Sequence, residues 1–199
     1  MKIMNKLIKS LLMSVGIVAS LLIVSCEDNA PEAFNDEETI TKVGLIFSPI
    51  DEGAPVVINA IDPDGDGPAD IAADGVIKLR KNVRYELFIS FENTITSIDI
   101  TEEVKEEAEE HMIFFSFTEG IFANPGGNGN IDGRSDPVNY LDKDDSDLPL
   151  GLITSWLTAD AKTGDFTIVL KHQPGIKSLT SKSSDGETDV SVTWSLEVE

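Results

Sequence analysis

The last twelve residues, "TDVSVTWSLEVE", alternate without interruption: Val190, Val192, Trp194, Leu196 and Val198 fall on one side, Asp189, Ser191, Thr193, Ser195 and Glu197 on the other. A period of two sends successive side chains to opposite faces of an extended strand, so one face must be covered while the other meets water. Val83, Tyr85, Leu87, Ile89 and Phe91 repeat the pattern, as do Phe166, Ile168 and Leu170. Shorter runs predict strands at 43–47, 56–61, 112–117 and 152–157. Several short strands with Gly and Pro at the joints predict an all-β fold, an antiparallel immunoglobulin-like β-sandwich. Phe47, Leu87, Phe115, Leu170, Val192 and Trp194 are its expected core.

One segment departs from the alternation. In "DITEEVKEEAEEH", Ile100, Val104 and Ala108 recur every four residues behind Thr101, an expected N-cap, which predicts one short surface helix. Its glutamates at 102, 106 and 110 set like charges one turn apart, so it must lean on the sandwich. The joint from Glu119 to Pro149 is rich in Gly, Asn and Asp. A connection of that length in a compact domain is expected to be functional or disordered.

The amino-terminal end carries an address. Lys2, Lys6 and Lys9 precede an apolar run, Leu11 to Val24, that is shorter than the roughly 20 residues a spanning helix needs. The run ends at Ser25 and Cys26, the only cysteine of the chain, followed by the acidic "EDNAPEAFNDEE". With no second cysteine to pair with, Cys26 reads as the lipidated first residue of a mature lipoprotein, the competing reading being a plain secretory signal cut elsewhere. Two or three acyl chains hold a protein on a bilayer where one does not. The expected organisation is a signal peptide at 1–25, a flexible acidic tether at 26–39 and a β-sandwich domain at 40–199. The signal segment holds three lysines and no acid, so its removal takes the net charge from −21 to −24. So negative a surface argues against nucleic acid as a partner and leaves the lipid anchor as the contact with membrane.

Three groups of residues offer chemistry. Asp62, Asp64, Asp66 and Asp70, in "DPDGDGPAD", have the spacing of a calcium loop, with Gly67 where such loops turn. The closing glutamate is missing, since Ala73 stands at the twelfth position, and a polar turn with Asp side chains capping amides is the competing reading. His111 and His172 each sit at the end of an expected strand on its inward side, where a histidine either bonds to backbone or serves as a ligand. If the strands at 112–117, 152–157 and 166–172 alternate in direction, the two histidines fall at opposite ends of the sandwich. His172 then shares its end with the 119–149 and 173–187 joints and with Asp142, Asp144, Asp145 and Asp147. An imidazole beside these carboxylates is a candidate zinc or copper site that His111 does not join. The same acidic residues also read as a solvated loop.

No nucleophile elbow, zinc-protease helix or phosphate-binding lysine loop is present, and "GGNGNIDG" lacks the spacing and the following helix of a phosphate cradle. The chain is therefore expected not to be an enzyme. "ITEEVKEEAEEHMIFF", "GLITSWLTADAKTGDFTIVLKHQPG" and "GETDVSVTWSLEV" resemble small lipoproteins of the Bacteroidetes often labelled type 1 periplasmic binding fold superfamily proteins. The resemblance covers most of the chain from Ile40 onward. That label suggests an α/β fold, which would need repeated strand–helix units, whereas the alternation here implies a sandwich. The resemblance implies an outer-membrane lipoprotein, accessory to a TonB-dependent receptor in ligand or metal uptake. Its recurring histidines fall on His111 and His172, and Glu27 and Asp28 resemble its cell-surface export tag. The alternative function is a structural or adhesive surface module whose acidic loops bind calcium or stay solvated.

Overall fold

The computed structural model describes residues 39–65, 71–133 and 137–199, all within one compact unit, Asp36–Glu199. Cys26, Glu27 and Asp28 lie outside the described residues, as do Asp66 and Asp70. The alternating runs form two sheets. The larger contains β1 (Lys42–Pro49), β2 (Val56–Ile61), β3 (Ala72–Ala73), β5 (Arg84–Asn93), β6 (Ile98–Asp99), β8 (Phe122–Asn124) and β9 (Ile153–Thr158). Its strands run in the order β3-β2-β1-β5-β9-β8, with β6 hydrogen-bonded to β5. The smaller sheet runs β4-β11-β10-β7, from Val76–Leu79, Glu187–Val198, Lys162–His172 and His111–Phe117. All pairings are antiparallel except β4 with β11.

The inward faces meet in one core. Phe47, Leu87, Phe115, Leu170, Val192 and Trp194 are all buried, as the alternation predicts. Trp156 of β9 lies against Phe122 of its own sheet at 4.8 Å and Phe166 of the opposite sheet at 5.2 Å between ring centroids. Trp194 of β11 also donates its indole N–H to the Asn59 carbonyl of β2 at 3.0 Å. One side chain thus fills the core and joins the two sheets through the kind of polar tip a buried tryptophan must satisfy.

The helix α1 covers Ile100–Glu106, but its cap is not Thr101. Asp99 has the extended backbone of an N-cap, and its carboxylate accepts the Thr101 N–H at 3.0 Å. Thr101 is buried instead, its hydroxyl accepting from the Phe91 N–H at 2.9 Å and donating to the Phe91 carbonyl at 3.1 Å. With Ile100 and Val104, it pins the helix to β5.

The described part of the 119–149 joint is ordered into the fold. It supplies β8 and then seals the outer edge of β7. Ile113 N–H reaches the Leu150 carbonyl at 2.8 Å and Phe117 N–H the Asn128 carbonyl at 2.9 Å. Asn130, fully buried, accepts from the Phe115 N–H at 2.9 Å and donates to the Tyr140 hydroxyl, which in turn donates to the Ile113 carbonyl at 2.7 Å. Gly129 makes this close approach feasible: its φ is +95°, and a Cβ there would strike the Phe115 carbonyl. An exposed strand edge is a site for unwanted pairing, and here loop backbone and two side chains occupy it.

β8 also overturns one expectation. It is too short to show an alternation, and without it the chain has one reversal too few between β7 and β10. With it, β7 and β10 run antiparallel as direct neighbours, and His111 pairs with His172. The two histidines share one end of the sandwich.

Candidate metal centre

His111 is the first residue of β7 and His172 the last of β10, directly opposite in register. Their rings stack with centroids 4.7 Å apart and planes 13° from parallel. Glu107, the C-cap residue of α1, adds a carboxylate, and ligand atoms of the three residues lie within 4.8 Å of one another. The turn from α1 to β7 produces this arrangement. The Glu107 carbonyl accepts the N–H groups of Glu110 and His111 at 2.8 and 3.2 Å, and His111 Nδ1 lies at 3.2 Å from the same oxygen. Sequence reasoning overlooked Glu107; its place four residues before His111 was the available signal, once both fall at one sheet end.

Two further carboxylates touch the rings. Glu110 Oε2 lies 3.1 Å from His172 Nε2, and Asp189 Oδ2 lies 3.7 Å from His111 Nε2. His111 and His172 are both buried. Burial pushes the His111 pKa down to about 4, against an opposing pull from the Glu107 carbonyl and with a further push from the adjacent His172. His111 is therefore a neutral imidazole near neutral pH, the form that binds metal. Imidazole lone pairs lie in the ring plane, so the near-parallel rings present theirs side by side. One ion is shared only after a ring turns.

The aspartates of the joint have other partners. Asp144 accepts the amides of Ser146 and Leu148 at 2.9 and 2.8 Å through Oδ1, and Oδ2 takes Lys177 Nζ at 2.7 Å. Burial acts to raise this carboxyl, but the Lys177 ammonium and the two amides hold it below the usual range. Lys177 is lowered too, because its own burial outweighs the pull of Asp144. Asp142 accepts the Gly151 N–H at 2.9 Å, and burial raises its pKa. Asp145 and Asp147 are exposed, the latter 3.5 Å from Lys143. These contacts make the loop a closed turn rather than a set of open ligands. Lys177 does bring the 119–149 and 173–187 joints together at the histidine end. There Asp144 and Asp145 line a cleft of about 360 Å³ with Glu106, Glu107, Glu109 and Glu110.

In the other acidic loop, Asp62 is buried and its Oδ1 accepts the amides of Asp64 and Gly65 at 3.2 and 3.0 Å. The Gly65 amide is the chief reason its pKa is lowered. This is the capped polar turn, yet Asp62 Oδ2 has no hydrogen-bond partner among the described residues. No protein-family model, curated protein or solved structure matches the chain.

Proposed function

We propose that the protein is a lipid-anchored, non-enzymatic binding protein whose sandwich takes a borderline divalent cation, zinc or copper, through Glu107, His111 and His172. The observation that carries this reading is the cross-strand histidine pair, buried beside a carboxylate from a third element. Two imidazoles and a carboxylate form a three-ligand set that leaves room for water or a ligand on the ion. Cys26 supplies the anchor, and the resemblance to Bacteroidetes lipoproteins supports an outer-membrane position facing outward, beside a TonB-dependent receptor. The strongly acidic surface attracts cations toward the site. Isothermal titration with zinc tests the site. Binding is expected to disappear in both His111→Ala and His172→Ala; wild-type protein that takes no zinc refutes the reading.

A second reading, a structural or adhesive surface module that holds calcium, is favoured by the buried Asp62 Oδ2, which has no hydrogen-bond donor among the described residues. Calcium titration of Asp62→Asn and Asp64→Asn against wild type measures it.

A further inference from the structure

A plain alternation along β11 would set Asp189 on the outward face with Ser191 and Thr193, which are exposed. The pairing with β10 breaks that rhythm. Leu170 pairs with Val190 and Lys171 with Thr188, so Asp189 is the extra residue of a bulge. A bulge re-aims the side chain it carries. Asp189 Oδ2 comes to 3.7 Å from His111 Nε2, with the His111 and Asp189 side chains 1% and 14% exposed.

The opposite edge of the His111 ring fixes what Nε2 offers. Nδ1 lies 3.2 Å from the Glu107 carbonyl, which has no proton to give, so Nδ1 carries the N–H. A neutral ring then has its lone pair on Nε2. That lone pair and the Asp189 oxygen are both acceptors, and they face each other beyond hydrogen-bond distance. Two ligand atoms on one tetrahedral zinc, each about 2.1 Å from it, stand about 3.4 Å apart. The gap between His111 and Asp189 is close to that separation, and a cation within it satisfies both atoms.

Resting on the cation-binding reading above, we infer that Asp189 is a further ligand, which meets the ion at the Nε2 edge of His111 and takes the place that Glu107, His111 and His172 leave open. His172, the more exposed of the two rings, is the one that turns to bring a nitrogen to the ion. The charges match, because imidazoles ligate in the neutral form and the two carboxylates balance a divalent cation. Four protein ligands close a tetrahedral site and leave no position for an outside molecule. The protein then captures the cation itself rather than a ligand carried on it.

The test gives position 189 a sulfur. In the chain carrying Cys26→Ser, so that no other thiol is present, Asp189→Cys loaded with cobalt(II) should show a thiolate-to-cobalt charge-transfer absorption in the near ultraviolet. The Cys26→Ser chain alone should lack it. In calorimetry, Asp189→Asn should weaken zinc binding by more than the roughly 10- to 100-fold that losing an outer-shell partner costs. Glu197→Gln, which removes the same charge elsewhere on β11, should bind zinc like wild type. Ring-nitrogen NMR on wild-type protein labelled with ¹⁵N-histidine should place zinc on Nε2 of His111 and keep the proton on Nδ1. Wild-type zinc affinity in Asp189→Asn overturns the inference, and so does cobalt bound to Asp189→Cys without the absorption. Zinc on Nδ1 of His111 overturns it as well. That readout needs no variant, so it decides the matter even where a substitution unfolds the domain. Failure of the parent reading is distinct: the wild-type protein then takes no zinc at all.

Discussion

Lys177 Nζ lies 2.7 Å from Asp144 Oδ2 with the two side chains 1% and 0% exposed, and the same ammonium donates to the Ala108 carbonyl at 2.6 Å. Three separate segments, the turn after α1, the aspartate joint and the 173–187 joint, thus converge on one buried cation. Removing either partner alone leaves a charge inside the protein without its mate. Lys177→Met or Asp144→Leu should each cost about 3–5 kcal/mol in urea denaturation, whereas the double replacement should lie much nearer wild type.

Stability should also depend on pH through His111. Its folded pKa, about 4, lies below the ordinary value of 6.5, so the unfolded chain takes up a proton before the folded one does. The contribution is complete above pH 6.5 and is lost progressively as the pH falls toward 4, by about 3 kcal/mol in all. Denaturation series between pH 7 and 4 should show this decline, and His111→Phe should flatten it.

The seal over β7 is open to a direct test. Asn130→Ala removes the acceptor of a buried backbone N–H and the donor to Tyr140 together. A loss of about 1–3 kcal/mol is expected. Faster amide exchange at Phe115 should accompany it, with exchange at the centre of β10 tracking only the global change.

Lipidation is decided in cells. A metabolic fatty-acid probe should label the wild-type protein and leave Cys26→Ser unlabelled. Protease treatment of whole cells should then remove the domain if it faces outward.

What the sequence discloses is set by the length of each element. β5, β10 and β11 carry enough alternating positions to expose their inward faces, and Leu87, Leu170 and Trp194 are buried accordingly. β3, β6 and β8 have two or three residues each, too few for any period to register. Missing β8 reversed the inferred sense of β7 against β10, which placed His111 and His172 at opposite ends although they stack. The histidines were identifiable as strand-end residues; their meeting was not, because register between strands so distant in sequence is a property of the whole topology. The aspartates of the joint illustrate a different limit. Their composition suggests ligands, but Asp144 is committed to Lys177 and two amides, and composition cannot reveal where a lysine more than thirty residues away will be buried.

The single parallel pairing among the described residues, β4 with β11, carries a kinetic consequence. It joins Val76–Leu79 to Ser195–Val198, and the Leu79 carbonyl accepts the amide of Glu199. Contacts between such distant parts of a chain form late, because the loop between them must first be ordered. β11 is also the neighbour of β10, so the four-stranded sheet is incomplete until residues 187–198 have been added. A chain still being synthesised therefore lacks the strand that closes this core. By the order of its strands, the fold stays pliable until residues 187–198 join it.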